Sequence, residues 1–377
     1  MRVLMINLDK SMLGADYTGD VIERHKKYVQ RAGKLDIIVF CKKGHKKIKY
    51  GPHLTIYPTN SKYKINYFYD AYRIAQEIYW PDKFNLVISE DPFGTGLVAW
   101  LIKKRFKIPL LIHFHGDFWQ NRYWLWERWF NPIFLFLSKF LVDRADGIRV
   151  VSSEIRDKLI KEGVDKQKIR VIPTPVNLEK FENFNEKKVK NLREKHHPNR
   201  KVIINVGRKD PSKDYKTLYK TIELVYNDYK KLAFWQIGSG IRIWEKIMAD
   251  ENLILTSTRK INQQELTNHY HASDIYVSSS CHESFGKVLI EAMACGLPVV
   301  ATATTGSQEI ITDGEDGFLV PIGDSPALAR KILYLLNNPA KAKKMGETGK
   351  KMVRKRFNQQ KIIKRIIDFW QTLTSSK

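Results

Sequence analysis

The sequence predicts an α/β protein made of two halves, each a parallel sheet covered on both faces by helices. Short apolar runs alternate with longer amphipathic stretches from the first residues onward, which is the pattern of repeated strand–helix units. The alternation lapses once, in a stretch rich in proline, asparagine and lysine at 170–200, and then resumes. At 377 residues the chain also exceeds what one hydrophobic core usually covers.

Taken in order, "VLMINL", "DIIVF", "NLVIS", "PLLIHF", "GIRVV" and "IRVIP" read as strands of the first half, with helical stretches such as "DVIERHKKYVQRAG" between them. The linker falls at 173–177, "PTPVN". Strands resume with "KVIINVG", "LAFWQIG", "LILTS", "DIYVS" and "LPVVAT". The expected domains are 1–175 and 176–357. The last helical stretch, 358–377, either closes the second domain or crosses back onto the first. Two such halves on one linker predict a ligand cleft between the carboxyl edges of their sheets.

Composition excludes several classes. Hydrophobic residues are 43% and charged residues 28%, as in an ordinary globular protein rather than a disordered one. Cys41, Cys281 and Cys295 show no CxxC spacing, so neither a disulfide framework nor a zinc knuckle is expected, and a cytoplasmic location fits. The N-terminal "MRVLMINLDK" reads as a strand, not a signal peptide. No apolar run is long enough to span a bilayer.

The net charge of +25 would draw the protein toward polyanions or an anionic lipid surface; a plain solvated lysine-rich surface explains it as well. The lysine clusters lie scattered and carry no nucleic-acid motif, so no nucleic-acid partner is expected.

The chemistry concentrates in the second half. "VIINVG" ends in a glycine turn followed by Arg208 and, five residues on, Lys213. The pair reads either as a surface loop or as two cations aimed at a phosphate. In "SSSCHESFGKVLIEAMACGLPVVATATTG" (278–306), a strand runs into "CHESFG" and then a helix that Gly296 and Pro298 end. Phe285 and Gly286 would stand at its N-terminus, where backbone N–H groups and the helix dipole favour an anion. Glu283 precedes that helix, and Glu291 lies two turns in. Each carboxylate could accept bonds from sugar hydroxyls. The plainer readings are a charge at a helix start for Glu283 and an ion pair with Lys287 for Glu291.

These residues carry a resemblance. "ESFGKVLIEAMACGLPVVAT" resembles the E-x7-E element of the large glycosyltransferase family four, with Glu283 and Glu291 in the glutamate places. "GRKDPSKDYKTL" is similar to that family's G-R-x-x-x-x-K loop, "TDGEDGFLVPIGD" to its nucleotide-domain tail, "HFHGD" to its histidine motif, and "YTGDVIERH" to its glycine loop. The resemblance implies a GT-B fold, two Rossmann-like domains facing each other across a cleft, and a retaining glycosyltransferase. It implies that Arg208 and Lys213 hold the donor diphosphate and that Glu283 meets the donor sugar. The stretch Ser284, Phe285, Gly286, Lys287 and Val288 would receive phosphate or sugar oxygens, and Glu291 the ribose. Gly19 would let the first loop approach the diphosphate, and His115 would lie beside the donor sugar; as a lone histidine at a strand end it reads equally as structural.

No metal or other cofactor is expected, because the cations and the helix start can offset the leaving charge of a UDP- or GDP-linked sugar. On the acceptor side stand His115, Asp117 and, in "SEDPFGTG", Glu90 and Asp91. "FWQNRYWLWERWFNPIFLF" (118–136) places five Trp or Tyr in its first dozen residues among Arg122, Glu127 and Arg128. It reads as an interfacial segment on the inner face of the plasma membrane, or in its later part as a packed core helix. The expected acceptor is a lipid-linked or polysaccharide hydroxyl. Alternatives are a small soluble acceptor, a non-catalytic sugar-nucleotide binder, or a nucleic-acid-binding protein.

Overall fold

A computed structural model describes residues 1–14, 21–80, 82–196, 199–238, 254–258 and 261–375. The chain forms two compact units, Met1–Pro175 with Gln360–Lys377, and Val176–Gln359.

In the first unit the strands are β1 (Arg2–Asn7), β2 (Lys34–Val39), β3 (Ile48–Tyr50), β4 (Leu54–Pro58), β5 (Leu86–Ser89), β6 (Leu110–Phe114), β7 (Gly147–Val150) and β8 (Ile169–Val171). Their order is β3-β4-β2-β1-β5-β6-β7-β8, parallel throughout except that β3 runs antiparallel to β4. β1 and β5 are buried along their whole length, as strands covered on both faces must be.

The helix Gln359–Ser375 packs on this unit. Trp370, fully buried, meets Tyr28 edge-on at 5.5 Å, and Arg365 donates to the Val171 carbonyl at 2.7 Å. Gly147 makes room for it, since a Cβ there would come within 2.9 Å of Leu373 and Phe369.

In the second unit β9 (Lys201–Val206), β10 (Leu232–Ile237), β11 (Ile254–Thr258), β12 (Ile275–Ser278), β13 (Val299–Thr302) and β14 (Phe318–Val320) form a wholly parallel sheet in the order β11-β10-β9-β12-β13-β14. One face carries the apolar stripes of helices Tyr215–Asp228 and Ser325–Asn337, with Leu218, Ile222, Leu328 and Ile332 in its core.

Each sheet has a place where the chain switches direction of travel across it. In the first unit it lies between β1 and β5, in the second between β9 and β12. Loops leaving adjacent strands diverge there and leave a crevice at the carboxyl ends, the usual ligand position in open α/β sheets.

Candidate active site

At the switch point of the second unit, β9 leads into the loop 207–214 and β12 into the loop 279–286. Backbone geometry fixes both. Gly207 N–H bonds the Ile237 carbonyl at 2.9 Å, and Tyr215 donates its hydroxyl to the Arg208 carbonyl at 2.9 Å. Asp210 caps the turn Pro211–Lys213 through Ser212 N–H, and the bonds from Ser212 hold the Asp210 carboxyl below the usual range. Asp214, in the left-handed region at φ 44°, caps the helix Tyr215–Asp228 through Thr217 N–H.

The two loops are stitched together. Cys281 N–H donates to the Ser212 carbonyl at 2.8 Å, and Ser279 Oγ to the carbonyls of Lys213 and Asp214 at 2.8 and 3.0 Å. These bonds bring Lys213 Nζ to 2.6 Å from Glu283 Oε2, both side chains being partly buried.

Beyond Glu283 the chain turns into the helix Lys287–Ala294 through Gly286, at φ 77°, a conformation that costs other residues about 1–2 kcal/mol. A third loop closes on this turn. Gly306 N–H donates to the Glu283 carbonyl at 2.7 Å, and a Cβ at 306 would stand 2.7 Å from Phe285 backbone atoms. Ser284, Phe285, Gly286, Lys287 and Val288 therefore make the turn and first residues of a helix whose leading N–H groups have no partner within the helix. A cation, a carboxylate and a helix start converge on one spot.

Two expected residues lie differently. Arg208 is 79% exposed, with its Nε 3.8 Å from Asp210 Oδ2. Glu291 is buried, with Lys287 Nζ 3.6 Å from one oxygen and the Tyr270 hydroxyl donating to the other at 3.4 Å. The plainer reading of Glu291, an ion pair one turn along the helix, is thus present. Gly19 lies outside the described residues.

At the switch point of the first unit, Glu90 follows β5, and His113 and His115 sit two residues apart at the end of β6, hence on one face of the sheet. His115 Nε2 is 2.9 Å from Glu90 Oε2. His113 Nδ1 is 3.2 Å from Oε1 but poorly aligned for a hydrogen bond. Burial lowers His113 to about 4. Glu90, although burial opposes its charge, is held well below the usual carboxylate range by the two histidines. Among the described residues these three bring together side chains of the kind that ligate a metal, within 4.8 Å of one another; they already engage each other. His113 was missing from the expected site, though the period-two spacing in "HFH" marks it.

Asp91 turns inward. Its carboxylate accepts from Phe93 N–H at 2.7 Å ahead of the helix Gly94–Phe106, and burial raises it to about 6. Asp117 is buried and paired with Lys158 at 2.7 Å.

The chain matches two family models: Glycosyl transferases group 1 over residues 187–352, and Glycosyltransferase Family 4 over residues 21–180. The chain is a glycosyltransferase of the GT-B fold. Among its relatives, this glycosyltransferase is 28% identical over 309 residues to a trehalose synthase of Pyrococcus horikoshii, covering 77% of this chain and 69% of that protein. It is 28% identical over 248 residues to the capsular polysaccharide biosynthesis glycosyltransferase CapM of Staphylococcus aureus, covering 63% and 64%. In fold it is similar to a sucrose-phosphate synthase from Thermosynechococcus elongatus, with a TM-score of 0.85 at 22% identity over the full length of both chains. It is also similar to Anabaena HepE in complex with UDP and glucose, with a TM-score of 0.77 at 17% identity over 99% of this chain and all of that one.

Proposed function

We propose that this glycosyltransferase moves a sugar, with retention and without a metal ion, from a nucleoside-diphosphate sugar to a hydroxyl of a lipid-linked or polysaccharide acceptor. The observation that carries this reading is the convergence of Lys213, Glu283 and the helix start at 285–288 on one switch point. Similarity to HepE, whose structure holds UDP and glucose, supports the donor class, and similarity to CapM supports a polysaccharide product.

Cleaving the bond to a diphosphate builds negative charge on the leaving group and positive charge on the sugar ring. Lys213 and the helix N–H groups would take the first. Each charge-assisted hydrogen bond contributes about 1.5–3 kcal/mol, so bonds that tighten as the bond breaks would supply about 10- to 100-fold in rate apiece. Arg208, on the same loop, adds a second cation once its side chain swings in. Glu283 is already bonded to Lys213, which suits a residue that positions sugar hydroxyls rather than a nucleophile that must approach the anomeric carbon. Glu291 then serves the ribose, and His115, with Glu90 at 2.9 Å, the acceptor side.

A lipid-linked acceptor is favoured by the surface of the aromatic segment. Trp119 and Trp124 are buried, whereas Trp126, Trp129, Ile133 and Phe136 are exposed beside Arg122 and Arg128, with Trp129 at 84%. Exposed apolar rings rimmed by cations suit the headgroup region of an anionic leaflet. No helix among the described residues is long and apolar enough to cross a membrane, so contact would be peripheral.

Incubating the protein with a panel of UDP-, GDP- and ADP-sugars, together with polyprenyl-phosphate-linked and oligosaccharide acceptors, in excess chelator and reading the products by mass spectrometry tests the reaction. Donor consumption and an α-linked product are expected; neither binding nor turnover with any donor would overturn the reading.

A further inference from the structure

We propose that Glu90 is a positioning residue that fixes the His115 imidazole with its proton on Nε2, so that Nδ1 offers a lone pair to a substrate hydroxyl. The inference rests on the glycosyl-transfer reading above and adds to it a tautomer and a ligand preference.

An ionised carboxylate only accepts hydrogen bonds, so at 2.9 Å from Glu90 Oε2 the Nε2 of His115 must carry the proton. Glu90 cannot easily turn away. Its other oxygen faces His113 at 3.2 Å, and its own N–H is bonded to the Ile6 carbonyl of β1 at 3.2 Å. His113 in turn stays neutral, being buried and paired across the β6–β7 register with Arg149, whose guanidinium donates to the carbonyls of Ile172 and Pro173. One carboxylate, one neutral imidazole and a neighbouring cation thus hold the His115 ring in a single orientation, Nε2 toward Glu90.

His115 is about one-third exposed, so a ligand at the end of β6 can reach it. With Nδ1 bearing a lone pair and the charge of Glu90 behind the ring, the site accepts an O–H and repels an anionic oxygen. The group it takes is therefore a neutral O–H donor, not a phosphate.

The test combines NMR of protein labelled with 15N-histidine and steady-state kinetics on the full chain. Wild type is expected to show His115 protonated at Nε2, with that proton downfield and slow to exchange. Glu90→Ala should lose this signal and lower kcat about 10- to 100-fold while the donor KM stays within about twofold. Glu90→Gln, whose amide oxygen still accepts, should recover most of both, and it remains informative if Glu90→Ala fails to fold. His115 protonated at Nδ1 in wild type, an Nε2 proton unchanged in Glu90→Ala, or full kcat in that variant would overturn the inference. If the proton signature behaves as expected but no sugar donor reacts, the Glu90–His115 coupling stands and the transferase reading fails instead.

Discussion

At the scale of single residues the account turns on the 2.6 Å pair of Lys213 and Glu283. A diphosphate at the helix start must share Lys213 with Glu283, so each variant should have its own signature. Lys213→Ala should lower kcat/KM by about 10- to 100-fold, the worth of one charged hydrogen bond. Glu283→Gln should weaken transfer while leaving the free nucleoside diphosphate bound as tightly, which calorimetry with UDP and GDP would read.

The buried histidines make a pH prediction. Burial lowers His25 and His113 from 6.5 to about 4, so the unfolded chain binds their protons first, and stability falls as pH drops below 6.5. Asp91, raised by burial to about 6, opposes this between about pH 6 and 4, where the folded chain takes its proton first. The net loss from pH 7 to pH 5 is on the order of 3 kcal/mol. Denaturant titrations at the two pH values should show it, and equal or greater stability at pH 5 would refute it. Lys213 and Glu283 were legible in the sequence because each stands a few residues past a strand end. Arg208 was only half legible, since a long exposed side chain near Asp210 takes its direction from the loop and solvent rather than from spacing.

At the scale of elements, glycine marks where loops press together. A Cβ at Gly306 would meet Phe285 N and C at 2.7 Å, and one at Gly238 would meet the Gly207 carbonyl oxygen at 1.6 Å. Gly306→Ala should therefore displace the Glu283 turn and weaken nucleotide binding more than it lowers the melting temperature. Gly238→Ala must push aside the start of the 207–214 loop and should impair both.

On the first unit, replacing Trp129 and Phe136 by serine should abolish flotation with anionic vesicles and leave nucleotide binding intact. Flotation undiminished in that variant would detach the aromatic face from membrane contact. The parallel strands from β1 to β13 were readable as apolar runs, apart from β3 and β4. β3, only Ile48–Tyr50, is a short antiparallel edge inside a lysine-rich stretch, and β4, Leu54–Pro58, directly follows it. β14, three residues long, lies inside the stretch "TDGEDGFLVPIGD", which reads as the nucleotide-domain tail and not as a strand. The aromatic segment divides its rings, with Trp119 and Trp124 buried and Trp126, Trp129 and Phe136 exposed, a division that composition does not show.

At the scale of the whole molecule, the chain leaves the first unit at 175 and returns to it at 360. The sequence left the destination of the last helix open, since an amphipathic stripe does not name its partner; Trp370 against Tyr28 decides it. Trp370→Ala should cost about 3–5 kcal/mol, and calorimetry should show the loss in the first unit's transition while nucleotide binding by the second persists.

The most direct measurement is a structure of the protein with an intact nucleoside-diphosphate sugar. The diphosphate is expected within hydrogen-bond distance of Lys213 Nζ and the N–H groups at 286–288, with a hydroxyl of the sugar on Glu283. A donor bound elsewhere, with the Lys213–Glu283 pair untouched, would contradict the account.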